Sequence, residues 1–261
     1  MHVITSTVKS GHPPASAKAP SGQRGFDFSH WTELSPAIVS DMPAEVQPEG
    51  VGILERLMAL VGILLLSPVM LAVALAIKLD SPRGPVLYRQ ARVGLNRRQE
   101  TSGSNGGAER RRTHGYGRVF MLCKFRTMIP DAEKLTGPVW AAKNDPRVTR
   151  IGRVLRRTRL DEVPQLFNVL AGDMRLIGPR PERPHFVERL TEQIPEYPRR
   201  LRVPPGITGL AQVERQYDES VNDVRRKVMY DLFYAEHRCF RMDAKILMKT
   251  MDVALRGRGA R

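Results

Sequence analysis

The sequence predicts an α+β fold, in which a helix-rich domain contains a short β-hairpin and is attached to a membrane by one apolar segment. Three observations predict this class. One run of 21 residues carries no charge, two short stretches are rich in β-branched and aromatic residues, and several segments repeat apolar residues at helical spacing. With 261 residues, 41% of them hydrophobic, the chain can bury the core of one sizeable domain or two small ones.

The apolar run, Leu57–Ile77, is about 31 Å long as a straight helix, which matches the hydrocarbon thickness of a bilayer. Pro68 at its centre lacks a backbone donor, so we expect a kink or break at Ser67-Pro68. The Ser67 hydroxyl can bond to a backbone group freed by the proline. Two topologies follow: a kinked helix that spans the bilayer, or two half-length arms that enter and leave by one face. The basic residues after the run predict a cytoplasmic C-terminal end.

The regions on either side of this segment differ in charge and composition. Residues 1–50 are rich in Pro, Ser, Gly and Ala and are predicted to be a disordered tail. The net charge of +15 is made of −3 in residues 1–55 and +18 in residues 56–261. Such a basic body indicates a phosphate-bearing partner: nucleic acid, anionic lipid or a phosphorylated small molecule. The two cysteines form no CxxC pattern, which excludes a disulfide framework and fits a reducing compartment.

Residues 51–80 are therefore expected to form the membrane segment, and residues 81–256 a separate domain. The predicted strands of that domain lie around Val86–Tyr88 and Val119–Met128, separated by a flexible polar insertion at 97–118. The predicted helices cover Arg147–Arg159, which is basic and amphipathic, and Leu160–Gly172, Pro184–Ile194, Ser220–Ala235 and Asp243–Leu255.

Two adjacent carboxylates, Asp161 and Glu162, lie between groups of arginines and are the candidate catalytic pair. Their predicted place at a helix N-terminus favours anions, whether carboxylate or phosphate. Arg180 lies between two prolines, so its guanidinium loses little entropy on binding a phosphate. Lys124 and Arg126, two residues apart on a strand, are expected to share one face. The competing interpretations are a salt-bridge network, a plain N-cap and an exposed strand face.

Several ordered motifs between about residues 56 and 255 resemble the bacterial sugar transferases, namely the short form of the monotopic phosphoglycosyl transferases, or polyprenyl-phosphate hexose-1-phosphate transferases. The motifs are SP at 67–68, GPVLYRQARVG at 84–94, KFRTM at 124–128, RRTRLDEVPQLFNVLAGDMRLIGPRP at 156–181, GITGLAQV at 206–213 and YDLFY at 230–234.

This resemblance implies that sugar-1-phosphate passes from a UDP-sugar to a membrane polyprenyl (undecaprenyl) phosphate with release of UMP, an early step of exopolysaccharide or other glycoconjugate assembly. It implies that Asp161 is a nucleophile that forms a covalent aspartyl phosphosugar and contacts Mg²⁺, and that Glu162 assists proton transfer. The implied substrate-binding residues are Lys124, Arg126, Arg156 and Arg180. It also implies a re-entrant membrane helix broken at Ser67-Pro68, at the bacterial inner membrane, with the catalytic domain on the cytoplasmic face.

Two other function classes compete with an enzyme. A membrane-tethered basic protein that binds nucleic acid fits the charge, but the body has few aromatic residues for base stacking and no nucleic-acid-binding signature, so no nucleic-acid partner is expected. An inactive scaffold is the second alternative. The partners expected for the enzyme are a nucleotide sugar, polyprenyl phosphate and the membrane, and a homo-oligomer is left open.

Overall fold

The computed structural model describes residues 50–96, 116–132, 145–214 and 221–255. The predicted tail (except Gly50) and most of the predicted insertion at 97–118 lie outside these ranges. Within them the fold is a mixture of helices and short sheets, as predicted. In chain order the elements are α1 (Ile53–Asp80), β1 (Leu87–Val93), β2 (Val119–Phe125), α2 (Arg150–Thr158), α3 (Gln165–Ala171), β3 (Arg175–Ile177), α4 (Pro184–Gln193), β4 (Gly206–Thr208), α5 (Leu210–Glu214), α6 (Val221–His237) and α7 (Phe240–Leu255), with 3₁₀ turns at Leu160–Glu162 and Tyr197–Arg202.

The predicted β-hairpin is confirmed. Strands β1 and β2 pair antiparallel, from Leu87 opposite Phe125 to Val93 opposite Val119. A second sheet was not predicted: β3 and β4 pair in parallel, with Arg175 opposite Gly206. Its strands have three residues each, which is too short for an alternating pattern to be visible in the sequence.

Helix α1 continues through Pro68 for 28 residues, so the predicted break at Ser67-Pro68 does not interrupt the helix. The Ser67 hydroxyl donates to the Leu64 carbonyl at 2.8 Å. That carbonyl is the one that the missing N–H of Pro68 would have bonded. The serine therefore compensates for the proline, and the helix continues. Within the described ranges, α1 is the one helix long and apolar enough to cross a membrane.

Both ends of α1 contact the rest of the protein. Near its N-terminus, Glu55 accepts from the Arg175 guanidinium at 2.9 Å, and near its C-terminus the Asp80 carboxylate accepts from the backbone of Ile151 at 3.1 Å. Between them, Ala59 and Ile77 are buried against the domain. The opposite face is an exposed apolar surface formed by Leu57, Val61, Leu64, Leu65, Leu71, Leu75 and Leu79.

The segment predicted as one helix, Leu160–Gly172, is divided in two. Helix α2 ends at Arg159, which has a left-handed φ of 61°. A 3₁₀ turn follows, and α3 begins only after Pro164. Helix α2 itself packs so closely that a Cβ at Gly152 would lie 2.1 Å from the Thr127 carbonyl oxygen. The chain reversal at Arg159 directs the 3₁₀ turn back towards the end of β2.

Candidate active site

The carboxylates of Asp161 and Glu162 lie on the 3₁₀ turn between α2 and α3, and both residues are buried. Helix α3 is fixed to the hairpin by Asn168, whose amide accepts from the backbone of Cys123 at 2.9 Å and donates to the Met121 carbonyl at 2.8 Å. These two bonds use the groups that the unpaired edge of β2 presents. They place the carboxylate pair beside Lys124, which follows Cys123.

Glu162 is held by two cations. One of its oxygens, Oε1, accepts from Lys124 Nζ at 2.7 Å and from Arg180 Nη2 at 2.7 Å. Burial by itself raises the pKa of Glu162, but Arg180 and Lys124 outweigh it and hold that pKa well below the ordinary value. Both cations are themselves partly shielded from water. Glu162 is therefore ionised, and it orients the two cations beside Asp161.

Asp161 has a different environment although it is adjacent in sequence. Its carboxylate makes no hydrogen bond or ion pair to any described residue. Burial raises its pKa, and the neighbouring Lys124 opposes that rise. The two adjacent carboxylates therefore differ in pKa: that of Glu162, which has two cationic partners, is lowered, and that of Asp161 is raised. Such a difference is typical of carboxylate pairs that act as acid, base or nucleophile. An unpaired carboxylate is free to contact a substrate or a metal ion.

The two other predicted phosphate-binding residues differ in their placement. Arg156 donates through Nε to the Thr127 hydroxyl at 3.0 Å, and its charge lowers the pKa of Asp161. Arg126 instead donates to the backbone carbonyls of Ser81 and Arg83 in the loop after α1. The structure thus brings Lys124, Arg156 and Arg180 towards the carboxylate pair, whereas Arg126 holds the loop that follows α1.

Charged residues behind Arg180 were not identified from the sequence. Glu182 accepts from Lys227 at 3.1 Å and from Arg92 at 3.4 Å. Burial raises the pKa of Glu182, but Lys227 and Arg92 lower it to about 2. Two further charges, Arg200 and Asp231, form a buried ion pair at 2.6 Å. The sign of these buried charges in the sequence is a charged residue within an otherwise apolar segment, such as Asp231 in YDLFY.

The side chains present can supply only part of a metal site. In the described portion of the chain, no group of three or more His, Cys, Asp or Glu side chains is placed to hold a metal ion. Mg²⁺ is commonly bound by one or two carboxylates together with substrate phosphates. The unpaired carboxylate of Asp161 fits that mode, whereas Glu162 is already occupied by two cations.

Comparison with known proteins identifies the family. The sequence profile described as "Bacterial sugar transferase" matches residues 51–257. The chain belongs to the bacterial sugar transferases. This confirms the resemblance drawn from the motifs, and the matched range includes α1, the carboxylate pair and the cations around it.

Several relatives whose names state an activity or a biosynthetic role match this region. A UDP-N-acetylgalactosamine-undecaprenyl-phosphate N-acetylgalactosaminephosphotransferase of Aeromonas hydrophila is 40% identical over 92% of this chain and 51% of its own length. A UDP-glucose:undecaprenyl-phosphate glucose-1-phosphate transferase of Caulobacter vibrioides is 40% identical over 73% of this chain and 64% of its own length. The exopolysaccharide production protein PSS of Rhizobium leguminosarum bv. phaseoli is 38% identical over 77% of this chain and 93% of its own length. The chain therefore spans about half of the Aeromonas relative and nearly all of the Rhizobium one.

Proposed function

We propose that the protein is a phosphoglycosyl transferase that transfers sugar-1-phosphate from a UDP-sugar to undecaprenyl phosphate and releases UMP. The observation that carries this proposal is the buried carboxylate of Asp161, which has no hydrogen-bond or ion-pair partner among the described residues and lies beside a glutamate that holds two cations. The names of the relatives support the substrates, because each of the two enzymes above is named for a UDP-sugar and undecaprenyl phosphate.

In the first step, a carboxylate oxygen of Asp161 attacks the phosphorus that carries the sugar. The bond between that phosphorus and the bridging oxygen breaks, and UMP leaves with the bridging oxygen. The product on the enzyme is an aspartyl phosphosugar, which divides one difficult transfer into two displacements. Lys124, Arg156 and Arg180 reduce the repulsion between the attacking carboxylate and the anionic diphosphate.

In the second step, a phosphate oxygen of undecaprenyl phosphate attacks the same phosphorus and displaces Asp161. Glu162 is the group placed to accept a proton from that phosphate. While Lys124 and Arg180 both contact it, Glu162 is a weak base. Substrate phosphates compete for Lys124 and Arg180, and loss of these contacts raises the pKa of Glu162 towards its ordinary value. Substrate binding thus converts a paired carboxylate into a usable base.

Mg²⁺ fits this proposal as a partner of Asp161 and the substrate diphosphate. When bound there, it neutralises charge on the phosphoryl oxygens. The described residues contribute the Asp161 carboxylate to such a site, while the three neighbouring cations orient the same phosphates.

The lipid acceptor requires the site to lie at a membrane surface. We place both ends of α1 on the cytoplasmic face, which requires the continuous helix to bend at Pro68 so that it enters and leaves the bilayer by one face. This is supported by the contacts of Glu55 and Asp80 with one and the same domain. The bond from the Ser67 hydroxyl satisfies the Leu64 carbonyl, so this acceptor can lie in lipid. The exposed arginines of α2, namely Arg150, Arg153 and Arg157, supply charge for anionic headgroups.

The test is UMP release by membranes that contain the protein and undecaprenyl phosphate, measured across a panel of UDP-sugars. We expect release with at least one UDP-sugar, and we expect Asp161→Asn to abolish it. Asp173→Asn is the matched control, because Asp173 lies outside the carboxylate pair and forms an ion pair with the exposed Arg118 at 3.3 Å. Full activity of Asp161→Asn would contradict the nucleophile, and absence of release with every UDP-sugar would contradict the proposed function and favour an inactive scaffold.

A further inference from the structure

A buried ion pair lies directly behind Arg180. The Arg200 guanidinium contacts one carboxylate oxygen of Asp231 through Nε at 2.8 Å and through Nη2 at 2.6 Å. The side chains of Arg200 and Asp231 are 1% and 2% exposed. Removing two charges from water is costly, so a buried ion pair is weak support for stability and invites another explanation.

Arg200 also contacts the segment that carries the active-site arginine. Its Nη2 donates to the backbone carbonyl of Arg180 at 2.9 Å. Its Nη1 donates to the Tyr197 hydroxyl at 3.1 Å, and the guanidinium lies 5.2 Å from the centre of the Tyr197 ring. These contacts fix Arg200 itself. A continuous chain of polar contacts therefore runs from Asp231 through Arg200 and Arg180 to Glu162.

The composition of this segment explains why it needs such a support. Pro179 and Pro181 have no backbone N–H, so the carbonyls are the groups by which the rest of the protein can hold them. The Pro179 carbonyl accepts from the backbone of Gly206 at 3.0 Å, and the Pro181 carbonyl accepts from Arg92 Nη1 at 3.0 Å. Arg200 holds the carbonyl between them, which belongs to the residue whose side chain reaches Glu162.

We propose that Arg200 and Asp231 are positioning residues for the transferase reaction: Asp231 orients Arg200, and Arg200 fixes Arg180 so that its guanidinium meets Glu162. This inference rests on the proposed function. Neither residue contacts the reacting atoms, and their effect passes through Arg180.

Two variants separate positioning from folding. Arg200→Lys keeps a positive charge beside Asp231, but a single ammonium cannot reproduce the planar fork that also reaches Tyr197 and the Arg180 carbonyl. The double variant Arg200→Met with Asp231→Leu removes both charges and fills the same space, an exchange that is often neutral or stabilising. The matched control is Arg199→Lys, because Arg199 is half-exposed and pairs with Glu236 at 3.4 Å.

We expect Arg200→Lys and the double variant to lower kcat by about 10- to 100-fold, as misplacement of a catalytic group does, while KM for the UDP-sugar changes little. Arg199→Lys is expected to match the wild type. When either change is combined with Arg180→Met, kcat should fall no further than in Arg180→Met alone, because the guanidinium that Arg200 positions is then absent. A purely structural role would instead add its loss to that of Arg180→Met.

A second measurement does not depend on turnover. The ion pair with Glu162 slows rotation of the Arg180 guanidinium, so its Nη resonances are expected in NMR spectra of the full chain and are expected to broaden in Arg200→Lys. The resonances of Arg175, which pairs with Glu55, provide the internal control. If the wild type shows no turnover, the proposed function fails while this spectrum still tests the positioning. Unchanged Arg180 resonances, full kcat in a folded variant, or failure of both variants to fold would each overturn the proposal.

Discussion

Replacing Arg180 with methionine removes one of the two cations that contact Oε1 of Glu162, each at 2.7 Å. Lys124 remains, so Glu162 keeps one partner and the protein is expected to fold. A hydrogen bond to a charged group contributes about 1.5 to 3 kcal/mol, which corresponds to a fall in kcat/KM of about 10- to 150-fold. The loss is expected to lower the reaction rate because, in the proposed mechanism, the same guanidinium orients the substrate phosphates.

The same variant should change the pH dependence of kcat/KM, which reports the pKa values of the free enzyme. Arg180 lowers the pKa of Glu162 and also opposes the rise of the pKa of Asp161. Its removal raises both pKa values, so both carboxylates become protonated at higher pH. The acidic limb of the kcat/KM profile must therefore move to higher pH, and the limb describes the pair rather than either residue.

The assay is continuous detection of UMP in nanodiscs containing undecaprenyl phosphate, between pH 5 and 9. Arg189→Met is the matched control, since Arg189 is an exposed residue of α4. Wild-type activity in Arg180→Met, or a reduced rate with an unmoved acidic limb, would refute the assignment of Arg180 to the carboxylate pair.

Three further predictions concern stability and topology. Glu182 has a pKa of about 2 against an ordinary 4.5, so it stabilises the fold above pH 4.5 by about 3 kcal/mol, and this stabilisation is lost as the pH falls towards 2. Glu182→Gln should lower the free energy of unfolding at pH 7 and weaken its dependence on pH, and an unchanged pH dependence, measured by urea titration at several pH values, would contradict this. Ser67→Ala leaves the Leu64 carbonyl without its side-chain donor and should cost about 1 kcal/mol in thermal unfolding, and an unchanged midpoint would show that the hydroxyl contributes nothing. Cysteines placed at Gly50 and Pro82, on either side of α1, should both react with an impermeant maleimide from the cytoplasmic face, whereas labelling of one alone would indicate a spanning helix.

The carboxylate pair and its two main cations were predicted from the sequence because they lie in short segments whose local chemistry is informative. Asp161 and Glu162 are adjacent, and Arg180 is identified by its two prolines. Lys124 was predicted from its place at a strand end. The spacing on the strand and the family resemblance both predicted Arg126 as a phosphate-binding residue beside Lys124, but it lies just past the last residue of β2 and turns to the loop after α1. The alternation of side chains holds only within a regular strand.

The predicted break in α1, which the structure does not show, and the support of Arg180 by Arg200 show the limits of sequence patterns. Proline removes a donor, but whether the helix is interrupted depends on whether a neighbour satisfies the freed carbonyl, and here Ser67 does. The pair of Arg200 and Asp231 is 31 residues apart, and no periodicity or motif joins charges that meet only after the chain has folded. Buried ion pairs of this kind become visible only in three dimensions.

In the proposed mechanism, Asp161 carries the phosphosugar between the two substrates. The direct measurement is intact-protein mass spectrometry after exposure to the accepted UDP-sugar without undecaprenyl phosphate, followed by peptide mapping. A phosphosugar adduct on Asp161, formed with one equivalent of UMP and removed by added undecaprenyl phosphate, is the predicted result, and Asp173→Asn should behave in the same way. Release of UMP only when both substrates are present, with no adduct on Asp161, would contradict the account.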